Sequence, residues 1–237
     1  MVGLGECGTH AIIAAQIGGG QVGERELATG LLRSLEPGML VLADRGFYSQ
    51  QFWSDVAATG ADLLWRVSAS LKLPVLEVFE DGSYRSVIID TIERQRLRRA
   101  RIRGEAREPA GITVRVVEYQ VAGRETSAET IRLITTIMNP AVASAAELAA
   151  AYAQRWEFEI SFAELETRQR GPLRVLRSPS PEMTRQEMWG LLLVHYAIRA
   201  LMTQVATELN TDPDRVSFIR SLRIVRRQVT DLAAFPP

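Results

Sequence analysis

The 237-residue chain holds one cysteine, Cys7, one lysine, Lys72, and two histidines, His10 and His195. A lone cysteine excludes an intrachain disulfide and a cysteine-built zinc site, and two histidines exclude a histidine-rich metal site. Any metal is then left to carboxylates. No apolar run approaches the roughly 20 residues that cross a bilayer, and the N-terminus lacks the cationic then apolar pattern of a secretion signal. The expected setting is cytoplasmic, with no membrane partner. Residues 1–43 contain no aspartate.

What is present is enough for a globular protein. At 46% hydrophobic and 24% charged, the chain can bury a sizeable core, and its length fits one domain carrying an insertion. Positive and negative charges balance at 28 each, but they are unevenly placed. "ERQRLRRARIRGEAR" (Glu93 to Arg107) is dominated by arginine, and further clusters lie at Arg168, Arg170, Arg174 and Arg177 and at Arg220, Arg223, Arg226 and Arg227. Arginine's planar fork suits bidentate phosphate contacts, so the clusters are compatible with nucleic acid. They are equally compatible with a solvated face.

Along the chain, "VGLGECGTH" and "AIIAAQIGG" read as two short strands followed by glycines. "GERELATGLLRSLEPG" (Gly23 to Gly38) reads as a helix stopped by Pro37 and Gly38. "MLVLAD" is an apolar run ending in Asp44, the pattern of a buried strand whose C-terminal end reaches a site. A helix, "YSQQFWSDVAATG", and a strand, "ADLLWRV", follow. From Ser68 to Pro140 the pattern is strand-like, with turns at Asp81-Gly82 and Ala122-Gly123 and the arginine-rich segment as an interruption, so it reads as a β insertion. Ala141 to Thr167 reads as helical, a second helix runs from about Glu182 to Asn210 after the "RGPLRVLRSPSP" linker, and a short basic helix follows Pro213.

Three stretches invite a chemical reading. "GLGECG" (Gly3 to Gly8) matches the G-x-G-x-x-G dinucleotide pattern letter for letter. That pattern requires a strand before it and a helix after it, and here "THAIIAAQI" reads as strand, so no nucleotide cofactor is inferred. "LADRGFYS" (Leu42 to Ser49) presents the Asp44 carboxylate at a sheet end, where ligands bind in open α/β folds; a turn cap is the plainer role for that side chain. "AYAQRWEFEISFAELE" (Ala151 to Glu166) spaces Tyr152, Arg155 and Glu159 so that an unbroken helix would carry them within about 60° of one another, with Glu166 on the same face. An amphipathic helix has a polar side in any case, and Arg155 and Glu159 fit an ordinary surface ion pair. Trp156, Phe158, Phe162, Trp189 and Tyr196 read as core by their helical spacing. Convergence of Asp44 and Glu159 would make a carboxylate site of the kind that holds magnesium for phosphodiester chemistry.

These motifs, with the surrounding "QRWEFEISFAELETRQRGPLRVLRSPSPEM" and "QEMWGLLLVHYAIRALM", resemble bacterial insertion-sequence DDE transposases of the insertion sequence 4 family over nearly the whole chain. Asp44, Gly46 and Phe47 match the family's aspartate-glycine-aromatic strand end, with Arg45 between, and Tyr152, Arg155 and Glu159 match its tyrosine, arginine and glutamate spacing. The resemblance implies an α/β, RNase H-like mixed sheet with helices on both faces and a β-rich insertion. The expected division is residues 1–67 as the first part of the core, 68–140 as the insertion, 141–212 as the helical second part and 213–237 as a basic tail. It implies Mg2+ or Mn2+ held by Asp44 and Glu159 as catalytic residues, with Tyr152 and Arg155 on the DNA backbone near the transposon end. The implied partners are transposon ends and target DNA, with room for an oligomer on DNA. Arg94, Arg96, Arg98, Arg99, Arg101 and Arg103 are the expected nonspecific DNA contacts.

Two departures stand out. Glu166 occupies the family's lysine position, placing an anion where a phosphate would be attracted. The family's first catalytic aspartate lies on a strand upstream of the "GECGTH" segment, and the stretch ahead of Asp44 offers none. The reading is therefore the C-terminal part of a transposase, its first sheet strand missing, inactive alone. A noncatalytic DNA-binding remnant and a metal-dependent nuclease remain the alternatives.

Overall fold

The computed structural model describes residues 1–121, 129–170, 176, 178 and 180–229. In chain order these form β1 (Val2–Gly5), β2 (Ile12–Gln16), α1 (Glu24–Thr29), β3 (Leu40–Ala43), α2 (Gln50–Ala57), β4 (Asp62–Val67), β5 (Glu77–Val78) and β6 (Tyr84–Ile88). There follow α3 (Thr91–Ile102), β7 (Ile112–Val121), β8 (Glu129–Thr135), α4 (Ala145–Ala153), α5 (Arg155–Ala163), a π-helical turn at Glu164–Gln169, α6 (Pro181–Glu208) and α7 (Phe218–Val229). They make two compact units: Gly23–Ala153, and residues 1–22 together with the chain from Gln154 onward.

The first unit is built on a mixed six-stranded sheet in the order β3-β4-β8-β7-β6-β5. β3 and β4 are parallel, with Leu40 opposite Asp62, while β8 runs antiparallel to β4 and β7 antiparallel to β8. Strand alternation sends Leu63, Trp65 and Val67 of β4 to one face, where Trp53 and Val56 of α2 cover them. Leu64 points the other way and meets Val117, Leu133, and Leu148 and Tyr152 of α4. Helices thus cover both faces of an α/β sheet, as an RNase H-like reading requires. The strand-like stretch after Ser68 does not stand apart: β8 and β7 continue the β4 ladder in the same sheet. The expected turn at Ala122-Gly123 and the cluster members Arg174 and Arg177 lie outside the described residues.

Three local expectations need correction. The Gly23–Gly38 stretch closes its helix early, at Thr29, with Gly30 as the C-cap, and continues as a 3-10 turn at Leu32–Ser34 before Pro37 is reached. The arginine-rich interruption is itself a helix, α3, whose N-terminus Asp90 caps by accepting from Glu93 N at 2.6 Å. The helix expected over 141–167 breaks at Gln154, between α4 and α5, and then widens into the π-helical turn. Helices α6 and α7 fall where periodicity placed them.

In the second unit β1 and β2 form a two-stranded antiparallel hairpin. Gly3 and Gly5 let α5 lie on it: a Cβ at Gly5 would sit 2.4 Å from the Phe158 ring, and one at Gly3 3.3 Å from Phe162. Gly3 and Gly5 of "GLGECG" therefore serve packing. Phe158 and Phe162 stack edge to face with ring centroids 4.8 Å apart, beside a core of Ile12, Ala15, Leu165 and Leu192. Trp156, Trp189 and Tyr196, read as core, are 63%, 46% and 47% exposed. Where apolar residues lie on more than one side of a helix, spacing alone cannot say which side meets the core.

Candidate active site

Asp44 follows the last residue of β3, at the C-terminal end of the parallel pair β3-β4. Its Oδ1 accepts from Arg45 N at 2.7 Å and caps the 3-10 turn Arg45–Phe47. The plain turn-cap role is thus filled, and it uses one carboxylate oxygen; Oδ2 has no partner among the described residues. The site end of the strand and the cap coincide because the chain must turn sharply there to enter α2, whose own cap is Ser49 Oγ accepting from Phe52 N at 3.2 Å.

Glu159 lies on α5 in the other unit and is half-exposed. Arg155 Nη1 donates to its Oε1 at 2.8 Å, the i,i+4 pair that the spacing allowed. Arg155 also lies over the Trp156 ring, 5.6 Å from its centroid. Tyr152 stands at the end of α4 and is 5% exposed, its ring among Leu64, Val117, Leu133 and Leu148. The helix is interrupted between these neighbours, at Gln154: Tyr152 ends α4 in one core, whereas on α5 Glu159 is exposed and Arg155 partly buried beside it. Glu166 is exposed on the π-helical turn, beside Met1, Arg170, Leu176 and Met188.

The six α3-region arginines, Arg94, Arg96, Arg98, Arg99, Arg101 and Arg103, are all exposed. Arg96 lies 3.6 Å from Glu93 and Arg103 donates to Glu105 at 2.8 Å, whereas Arg94, Arg98, Arg99 and Arg101 have no ion pair among the described residues.

Sequence reasoning missed a polar network in the second unit. His195 and Arg199, one helical turn apart in the otherwise apolar "GLLLVHYAIRALM", are both buried, and that pairing in an apolar run was its only sequence signal. Arg199 Nη2 donates to Glu164 Oε2 at 2.5 Å and lies 3.1 Å from His10 Nδ1, while His10 Nε2 is 3.0 Å from Asp214 Oδ1 and 3.6 Å from Glu157 Oε2. His10, Glu157 and Asp214 thus place three potential metal ligands together. Arginine can only donate, so Nδ1 must offer its lone pair and the proton sits on Nε2, where a metal would have to bind. The trio suits a structural ion network better than a metal, and a hard ion such as magnesium prefers oxygen ligands. Burial first, then the Asp214 and Asp212 charges, outweigh the attraction of His10 and push the Glu157 carboxyl above its ordinary range. Burial, then the Glu157 and Glu6 charges, push up the Cys7 thiol.

The family model described as "Transposase DDE domain" matches residues 7–197. The chain is also 27% identical over 235 residues to "Transposase InsG for insertion sequence element IS4" of Escherichia coli (strain K12), covering 98% of this chain and 50% of that protein. The chain therefore spans about half the length of the curated relative it matches. With Asp44 at the end of a parallel strand and Glu159 on a helix in the matched region, the chain belongs to the DDE transposase family, of the insertion sequence 4 type.

Proposed function

We propose that this chain supplies the Asp44- and Glu159-bearing part of a transposase acting by metal-dependent phosphoryl transfer at transposon ends, and that alone it neither cleaves nor joins DNA. The observation that carries the reading is the state of β3. Val41 and Ala43 pack toward the α2 side and Leu42 toward the α4 side, so the strand is apolar on both faces like an interior strand. Yet β4 is its only sheet neighbour among the described residues. Edge strands are usually blunted by lysine, proline or a bulge, and "MLVLA" has none of these. A further strand laid along β3 would satisfy its outward N–H and C=O groups and bring a third carboxylate beside Asp44. The half-length match to the relative supports a source for that strand outside these residues.

Asp44 and Glu159 would hold Mg2+ or Mn2+. Their donors fit, since both are hard carboxylate oxygens and each keeps one oxygen without a partner among the described residues. When bound, the metal would activate a nucleophile and steady the leaving oxygen. The remaining work falls to this chain's own groups. Arg155 orients Glu159 and would contact the DNA backbone near the transposon end; Tyr152 can join that contact only on exposure of its buried hydroxyl. With two carboxylates, one ion of a metal pair is poorly held, which is why the isolated chain should be inactive. The test is incubation of purified chain with supercoiled plasmid and Mg2+ or Mn2+. No nicking above a metal-free control is expected. Robust metal-dependent cleavage lost on Asp44→Asn would overturn the claim in favour of a metal-dependent nuclease.

A further inference from the structure

Helix α7 carries four arginines, Arg220, Arg223, Arg226 and Arg227, and residues 215–229 contain no carboxylate. Its buried face is Phe218, Leu222 and Val225, which pack on Ile198 and Met202 of α6. At about 100° per residue, Arg220, Arg223 and Arg227 fall within roughly 60° of one another on the side opposite that face. All three are exposed, and Arg220 and Arg223 have no ion pair among the described residues. Arg226 leaves the stripe and donates from Nη2 to the Gln169 carbonyl at 2.8 Å, tying α7 to the π-helical turn of the same unit.

A merely solvated helix face mixes charge signs, because like charges at i,i+3 and i,i+4 destabilise a helix by some tenths of a kcal/mol per pair. Helix α3 answers part of its charge with Glu93 and, just beyond its end, Glu105; α7 holds no carboxylate at all. Basic amphipathic helices can lie on membranes, but that use needs a free apolar face, and here the apolar face is spent on α6. What remains is a rigid ridge about 10 Å long, of one charge, built from guanidinium forks. Duplex DNA presents a phosphate charge per ~1.7 Å of axis, so a ridge of that length meets several.

We infer that Arg220, Arg223 and Arg227 form a phosphate-binding ridge for duplex DNA, separate from the α3 arginines and without base preference. The inference rests on the proposed DNA-handling function and deepens it.

The experiment is fluorescence anisotropy of a labelled 20-base-pair duplex of arbitrary sequence with the full chain, over about 50 to 200 mM salt. Each phosphate contact steepens the dependence of log affinity on log salt by about 0.9, or roughly three- to fourfold in affinity over that range. The variant R220A/R223A/R227A should lower the slope by about 2 to 3, and R220K/R223K/R227K should restore most of it with unchanged thermal stability. An unchanged slope in the alanine variant, with wild-type binding intact, overturns the ridge alone. A lysine variant as weak as the alanine one overturns it too, since that marks a packing role. If the wild-type chain binds no duplex even at the lowest salt, the DNA-handling reading fails as well. Binding only to phosphatidylserine vesicles, and not to duplex, would reassign the stripe to lipid.

Discussion

At the residue scale, single side chains here hold two jobs at once. Asp44 caps a turn with one oxygen and presents the other at a strand end, while Arg155 both pairs with Glu159 and covers Trp156. Glu166 is the residue whose chemistry runs against its setting: it is exposed, anionic and close in sequence to Arg168 and Arg170. Replacing it with lysine exchanges repulsion of a phosphate for attraction. Glu166→Lys is expected to tighten generic duplex binding several-fold at about 50 mM salt and to steepen the salt slope by up to about 0.9. Equal titration curves for the two proteins would remove Glu166 from the DNA interface while leaving the Asp44 and Glu159 assignment in place.

At the element scale, the six-stranded sheet depends on one buried arginine. Arg115 of β7 is fully buried and donates to Ser83 Oγ at 2.8 Å, Asp81 Oδ2 at 2.5 Å and the Ala143 carbonyl at 2.7 Å. Asp81 in turn accepts from Ala145 N at 2.7 Å, which joins the β5-β6 turn to the start of α4. Removing one partner strands the others in a dry setting. Arg115→Ala should therefore lower unfolding free energy by roughly 3 to 5 kcal/mol, read from urea denaturation. Asp81 adds a pH dependence. Burial raises its pKa, but hydrogen bonds from Ser83 and Ala145 and the Arg115 charge outweigh it, so the folded value lies below the ordinary 3.8. A depressed carboxylate contributes stability above its unfolded pKa and loses it as pH falls through the folded one. Asp81→Asn should thus be less stable than wild type at pH 7, and the gap should shrink below about pH 3.8. A gap that stayed constant to pH 2 would assign the loss to packing.

At the scale of the whole molecule, the two units carry separate arginine surfaces, α3 in one and α7 in the other. Alanine at Arg94, Arg96, Arg98, Arg99, Arg101 and Arg103 should weaken generic duplex binding at low salt and flatten its salt dependence. Arg94, Arg98, Arg99 and Arg101 should account for most of the effect, because Arg96 and Arg103 already face carboxylates. Unchanged affinity and slope would withdraw α3 from the DNA interface. Among the described residues no helix is long and apolar enough to cross a membrane.

Much of this was legible in the residues themselves. Local signals suffice where a neighbour in sequence settles the conformation: Ser180 and Pro181 start α6, and the four-residue spacing of Arg155 and Glu159 makes their pair. The Asp90 cap that starts α3 was as local, but the strand-like pattern on either side of it hid that helix. The apolar run ending at Asp44 likewise marked a strand end suited to a ligand. Tertiary structure decided what depends on partners distant in sequence. It sent Tyr152 into a core that Leu64 and Val117 complete, and it left Trp189 and Tyr196 exposed while His195 and Arg199 of the same helix are buried. It also gathered His10, Glu164, Arg199 and Asp214 from four separate stretches into one ion network. Periodicity records that a side chain is apolar or charged; only the packed chain supplies the surface or counter-charge it meets.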